Sequence, residues 1–305
     1  MFLKAPKPST DPGLRSLLQK SVRRGAMEVA GATIRRLDEI GDKTWLRSRT
    51  VVITFEECWP LASALVIEGG LASRWNALMK AANSCKQKDA ASLGALAYAY
   101  QQGDKSILGF APNADQLEFV AGALERPHAF FDWIVTQSKD DNSKAIIHAA
   151  RKYLAVATWQ WDKACILAGA LLSVMADLPH VETAEPFKGP FPFWVALDKH
   201  TPQGKEVLRR IGIERKIPYR QLIWSSFYFE SGQVNKLLPS PWWEAEKEWR
   251  LRRAGLTVNK SEELWFTVRD SVQNALVEEA ARLKDKLGKP PISKPQEPIQ
   301  KNIFE

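Results

Sequence analysis

Apolar residues recur at helical spacing along almost the whole chain. Met27, Ala30, Ile34 and Leu37 share one face, Arg35 and Arg36 point away from it, and Gly41 then stops the helix. A second amphipathic stretch runs from Asp42 as N-cap through Trp45, Val51, Val52 and Phe55 to the break at Trp59-Pro60. Further helices are predicted over 61–83, 89–102, 115–124, 129–138, 142–156 and 159–175, then over 193–200, 202–211, 219–231 and 241–254. The last, over 261–287, is the clearest: Val268, Val272, Leu276, Ala280, Leu283 and Leu287 form its stripe. The β-branched run from Thr50 to Phe55 has strand-like composition, but its flanks continue the helical period, so it is predicted helical. The pattern predicts an all-α, multi-helix globular bundle.

Proline and glycine interrupt this pattern at 178–192, which divides a helical domain over 13–177 from a C-terminal helical subdomain over 193–287. Residues 1–12 read as an N-terminal extension. From 288 the chain turns to Gly288, Lys289, Pro290, Pro291, Pro295 and Pro298, a composition that predicts a disordered tail over 288–305.

Charge narrows the function. The 305-residue chain carries +8. Residues 1–54 contribute +6 and 201–305 contribute +5, so the middle is mildly acidic at −3. Clustered positive charge draws polyanions by releasing condensed counterions, which makes DNA the leading expected partner. No apolar run is long enough to span a membrane, and the start lacks the apolar core of a secretory signal, so a cytoplasmic protein without a membrane partner is expected.

Catalytic signatures are sparse. Cys58, Cys85 and Cys165 are far apart, and the four histidines do not have the spacing of a helical zinc pair, so neither disulfide nor metal is expected. Gly103-Asp104-Lys105-Ser106 echoes the end of a P-loop, but no glycine stands at the required position upstream and no strand leads in, so it is assigned to an interhelical turn. The pairs Glu56-Glu57 and Asp140-Asp141 are the nominees for acid–base or metal chemistry. Adjacent helical residues point about 100° apart, which favours instead one carboxylate buried against an arginine and one solvated. Among twelve tryptophans, Trp242, Trp243 and Trp249 are interleaved with Arg250, Arg252 and Arg253, a pattern that suits base stacking or a core stripe, with core packing favoured. No cofactor and no catalytic residue are expected.

Residues 18–57 also carry a family resemblance. Leu18-Gln19-Lys20-Ser21-Val22-Arg23-Arg24-Gly25, then Arg35-Arg36-Leu37-Asp38-Glu39-Ile40-Gly41-Asp42, then Arg49-Thr50-Val51-Val52-Ile53-Thr54-Phe55-Glu56-Glu57 resemble the C-terminal helical domain of the RarA/MgsA family of clamp-loader-related AAA+ ATPases. Trp59-Pro60 stands where that family has a glycine, and the family's ATPase and lid modules have no counterpart in this sequence. The resemblance implies a collar-like scaffold without ATP hydrolysis, and a tetramer. At the other end, Gln300-Lys301-Asn302-Ile303-Phe304 resembles the bacterial sliding-clamp-binding peptide, in which Ile303 and Phe304 would fill an apolar pocket and Gln300 would hydrogen-bond at its rim.

Together these readings predict a DNA-associated replication or repair accessory, of a kind that phages or mobile elements carry. Arg23, Arg24, Arg35, Arg36, Arg47, Arg49, Arg250, Arg252 and Arg253 are its nominated phosphate contacts, and Gln300, Ile303 and Phe304 its contacts with a clamp or another replication protein. The alternative is a protein–protein interaction module that binds or inhibits a host factor, supported by the acidic middle and the abundant tryptophan.

Overall fold

The computed structural model describes residues 10–65, 70–175, 178–189 and 191–288. They form thirteen α-helices: α1 Pro12–Arg24, α2 Met27–Glu39, α3 Lys43–Cys58, α4 Leu71–Ala82, α5 Asp89–Gln101, α6 Ala114–Glu125, α7 Pro127–Gln137, α8 Asp141–Leu154, α9 Gln160–Met175, α10 Pro202–Glu214, α11 Tyr219–Ser226, α12 Pro241–Arg253 and α13 Val258–Gly288. The protein is all-α, and the Thr50–Phe55 run lies within α3. Among the described residues, pairing of extended backbone is confined to isolated bridges around 84–87. The tail from 289 onward, with Gln300, Ile303 and Phe304, lies outside the described residues.

Helix ends follow local chemistry. Asp11 accepts hydrogen bonds from the Gly13 and Leu14 amides at 3.0 and 3.1 Å and Pro12 takes the first helical position, so α1 begins inside the expected extension. It ends at Gly25, whose φ of 69° suits a residue without a side chain. Two predicted helices are shorter than their periodicity suggests. Residues 61–83 divide into a 3₁₀ turn, Trp59–Ala64, and α4, with Gly70 at the start of α4. Residues 193–200 hold only a 3₁₀ turn, Phe193–Val195. There, Asp198 accepts the His200 amide at 2.8 Å, and Lys20 donates to the Leu197 carbonyl, so that the groups a helix would pair are already bonded.

Two large apolar cores result, and a small third cluster joins Tyr228, Trp243 and Leu251. One gathers α5–α9 with Val51 and Phe55 of α3 and with Trp242, Ala245 and Trp249 of α12. The other combines α1, α2 and α4 with the 193–197 turn, α10 and α13. Residues on both sides of 178–192 thus share a core. The segment between α4 and α5 runs through the junction, with Lys86 fully buried and its ammonium donating to the Ala81, Ala82 and Ser84 carbonyls at 2.7, 3.1 and 2.6 Å. It closes the C-terminal end of α4, where unpaired carbonyls attract a cation.

Candidate nucleic-acid interface

A charged seam lies where the cores meet, and it takes up several of the arginines nominated from sequence. Glu57, fully buried, pairs with Arg23 at 2.9 Å and Lys88 at 3.1 Å. Burial pushes its carboxyl up, but these two cations outweigh burial and hold it at about 2. Arg49 bridges Asp162 at 2.8 Å and Glu56 at 3.1 Å. Arg250 pairs with Glu246 at 2.6 Å and lies 4.4 Å from the Trp224 ring centre. Lys199 sits 3.6 Å from the centre of the same ring, and burial together with Arg250 pushes its amine well below the usual range. Arg24 turns the other way, onto Glu230 and the Trp194 ring, in a groove of about 650 Å³ whose further lining includes Phe187, Phe193 and Arg269.

Arg23, Arg24, Arg49 and Arg250 are therefore structural cations rather than a phosphate track. Arg23, through Glu57, and Arg49, through Asp162, tie helices of the two cores together, while Arg24 and Arg250 are held on Glu230 and Glu246. Arg36 pairs with Glu39 at 3.0 Å, Arg252 with Glu248 at 3.3 Å and Arg253 with Asp104 at 2.8 Å. Arg35, stacked 5.1 Å from the Trp75 ring centre, and Arg47 are exposed.

The carboxylate pairs are likewise accounted for. Glu56 and Glu57 both face cations, so neither is the solvated member expected. Asp140 caps α8 through the Ser143 amide at 2.8 Å, while Asp141 is solvent-exposed. Asp104 of the P-loop-like stretch caps a 3₁₀ turn, Lys105–Gly109. Trp242 and Trp249 are core residues. Among the described residues no three His, Cys, Asp or Glu side chains are grouped to hold a metal, and no helix is long and apolar enough to cross a membrane.

A dense exposed basic feature lies apart from the nine arginines nominated above. Helices α10 and α11 are joined by a turn of four residues, Arg215 to Pro218, and this corner presents Arg209, Arg210, Arg215, Lys216 and Arg220, all exposed. The acids of the segment are Glu206 and Glu214, and Glu214 lies 3.9 Å from Arg210. Val207, Leu208, Ile211 and Leu222 bury the inner faces of both helices, which turns the cations outward. Arg209 stacks 5.2 Å from the Tyr219 ring centre, and Arg215 donates to the Ser271 hydroxyl at 3.2 Å, so two of the five are positioned by neighbours while their charge stays in solvent.

The turn itself is a Schellman closure. The Ile217 amide donates to the Gly212 carbonyl at 2.8 Å and the Lys216 amide to that of Ile213 at 3.2 Å. The position between them needs a left-handed backbone, and it is filled by Lys216 at φ 55°, the one non-glycine residue with positive φ among the described residues. A lysine there costs about 1 kcal/mol relative to glycine. The local density was hidden in the sequence because charge was averaged over residues 201–305, where the acids of α12 and α13 dilute it; a sixteen-residue window over 205–220 isolates it. Comparisons with protein-family profiles, with curated proteins and with solved structures give no match to this chain.

Proposed function

We propose that the protein is a non-catalytic nucleic-acid-binding accessory of DNA replication or repair, and that the α10–α11 corner is its phosphate-contacting surface. The observation that carries this reading is the cluster of five exposed cations within 209–220, one of them at a backbone position that disfavours it. Two helices joined by a short turn, with the inner faces packed on a core, are a geometry that several DNA-binding folds use to present a helix to a groove. The replication context draws on the resemblance of residues 18–57 to the RarA/MgsA collar domain and of residues 300–304 to a clamp-binding peptide.

Fluorescence anisotropy with a labelled duplex across a salt series tests this function. Binding that weakens steeply with salt is the expected result, and no binding at low salt would overturn it. A pull-down with purified sliding clamp, comparing the intact chain with one ending at Pro298, tests the replication context, because only the intact chain is expected to retain the clamp.

A further inference from the structure

Helix α6 exposes a stripe that a bundle helix would ordinarily bury. Phe119 is 40 % exposed and Trp133, on the neighbouring α7, is 38 % exposed, and their ring centres lie 4.5 Å apart. They flank a groove of about 550 Å³ with Gly122, Ala123 and Ala129 in its lining. Two exposed aromatics side by side, beside small residues, make an apolar surface that water solvates poorly and that suits a packed partner.

The charges around it identify the partner. Glu118 and Arg126 are both exposed, and each lies four residues from Gly122, one before it and one after. The Glu118 carboxylate accepts the Tyr100 hydroxyl at 2.8 Å, which fixes it at the groove edge. A side chain added at Gly122 would meet nothing within 4 Å, so the middle of the stripe is open to a second backbone. The stripe is therefore self-complementary under a two-fold rotation. An antiparallel crossing at Gly122 brings Glu118 against Arg126 of the second copy, and Arg126 against its Glu118. Phe119 then falls between Gly122 and Arg126 of that copy.

We propose that two copies of this chain pair through α6, crossing antiparallel at Gly122, with Phe119 and Trp133 as the apolar centre and the Glu118–Arg126 contact made twice. Such an isologous contact closes on itself and needs no second type of surface. Close approach at a glycine brings helix axes to the short end of the usual range of about 8–10 Å, where Phe119 and the Arg126 stem pack on the facing helix. This pairing is independent of nucleic-acid binding, because the α10–α11 corner contributes nothing to it.

Analytical ultracentrifugation of the full chain in moderate salt, without nucleic acid, provides the test. A dimer is expected at micromolar concentration. Because the contact occurs twice, Glu118→Arg alone or Arg126→Glu alone sets like charges together at both places and weakens dimerisation by about tenfold or more. The double variant Glu118→Arg/Arg126→Glu restores it. Phe119→Ser yields a monomer, with circular dichroism checking that its helix content is unchanged. A monomeric wild-type chain, a dimer indifferent to either single reversal, or a double variant that stays as weak as the singles would each overturn the pairing.

Discussion

The Arg23 guanidinium lies 2.9 Å from the Glu57 carboxylate, and both side chains are withdrawn from water. This pair joins α1, a helix of one core, to the inner end of α3, whose Val51 and Phe55 belong to the other. Lys88, at the N-cap of α5, supplies a second cation. The pair makes a desolvated electrostatic bond between two otherwise apolar bodies.

Acid should loosen that bond. Glu57 has a folded pKa held at about 2, below its ordinary 4.5, so its contribution is complete above about 4.5 and is lost as the pH falls through about 2. Thermal melts from pH 6 to pH 2 are expected to show the melting temperature falling within that window. Glu57→Gln flattens the fall there and, at neutral pH, destabilises the protein by about 3–5 kcal/mol, because Arg23 and Lys88 are left buried without a counter-charge.

At the basic corner, Arg209→Glu/Arg210→Glu/Arg215→Glu is expected to abolish most duplex binding without lowering the melting temperature appreciably, since these side chains are exposed. Milder Arg→Gln replacements at the same three positions reduce the salt slope by about 2–3, roughly one phosphate contact for each residue removed.

Lys216 separates stability from binding. Lys216→Gly relieves the left-handed lysine and is expected to stabilise the fold by about 1 kcal/mol in urea titrations, while weakening duplex binding in the anisotropy assay. A purely structural role for the corner would leave binding untouched.

Helices α5 and α9 cross where Gly94 lacks a side chain. A Cβ there would stand 2.5 Å from the Cys165 amide nitrogen and 2.6 Å from the Ala164 carbonyl carbon, both backbone atoms that cannot swing aside. Gly94→Ala is expected to cost at least about 2 kcal/mol by urea denaturation, despite alanine's better helix propensity.

The three thiols report on the same packing. Burial pushes Cys58 up to about 12 and raises Cys165 well above its ordinary value, and Cys85 is also buried. The native protein should react slowly with a chromogenic disulfide at pH 8 and release all three thiols in guanidinium.

Much of this architecture was legible in the sequence. The stripe from Val268 to Leu283 gave α13, and the helical flanks around Thr50–Phe55 outweighed their strand-like composition. The failures have local causes. Residues 193–200 look helical by period, but Asp198 accepts from the His200 amide and from the Ser16 hydroxyl, the latter 182 positions away and invisible to periodicity. Arg23, Arg24, Arg49 and Arg250 looked like a phosphate track because a count of cations does not show which carboxylate each one meets. Arg23, Arg24 and Arg49 reach Glu57, Glu230 and Asp162 on other elements, and even the Arg250–Glu246 pair within α12 shows its burial only once the helices are packed. The pairing of α1 and α2 with α10 and α13 likewise depends on tertiary packing rather than on any local signal.

The interleaving of the two cores sets an order for assembly. On a ribosome, α1, α2 and α4 emerge long before α10 and α13, the helices that cover their apolar faces. The middle helices, α5–α9, find most of their packing partners among themselves and can condense while synthesis continues. The early helices must wait with greasy surface uncovered, a window in which a chaperone would have its greatest effect on yield.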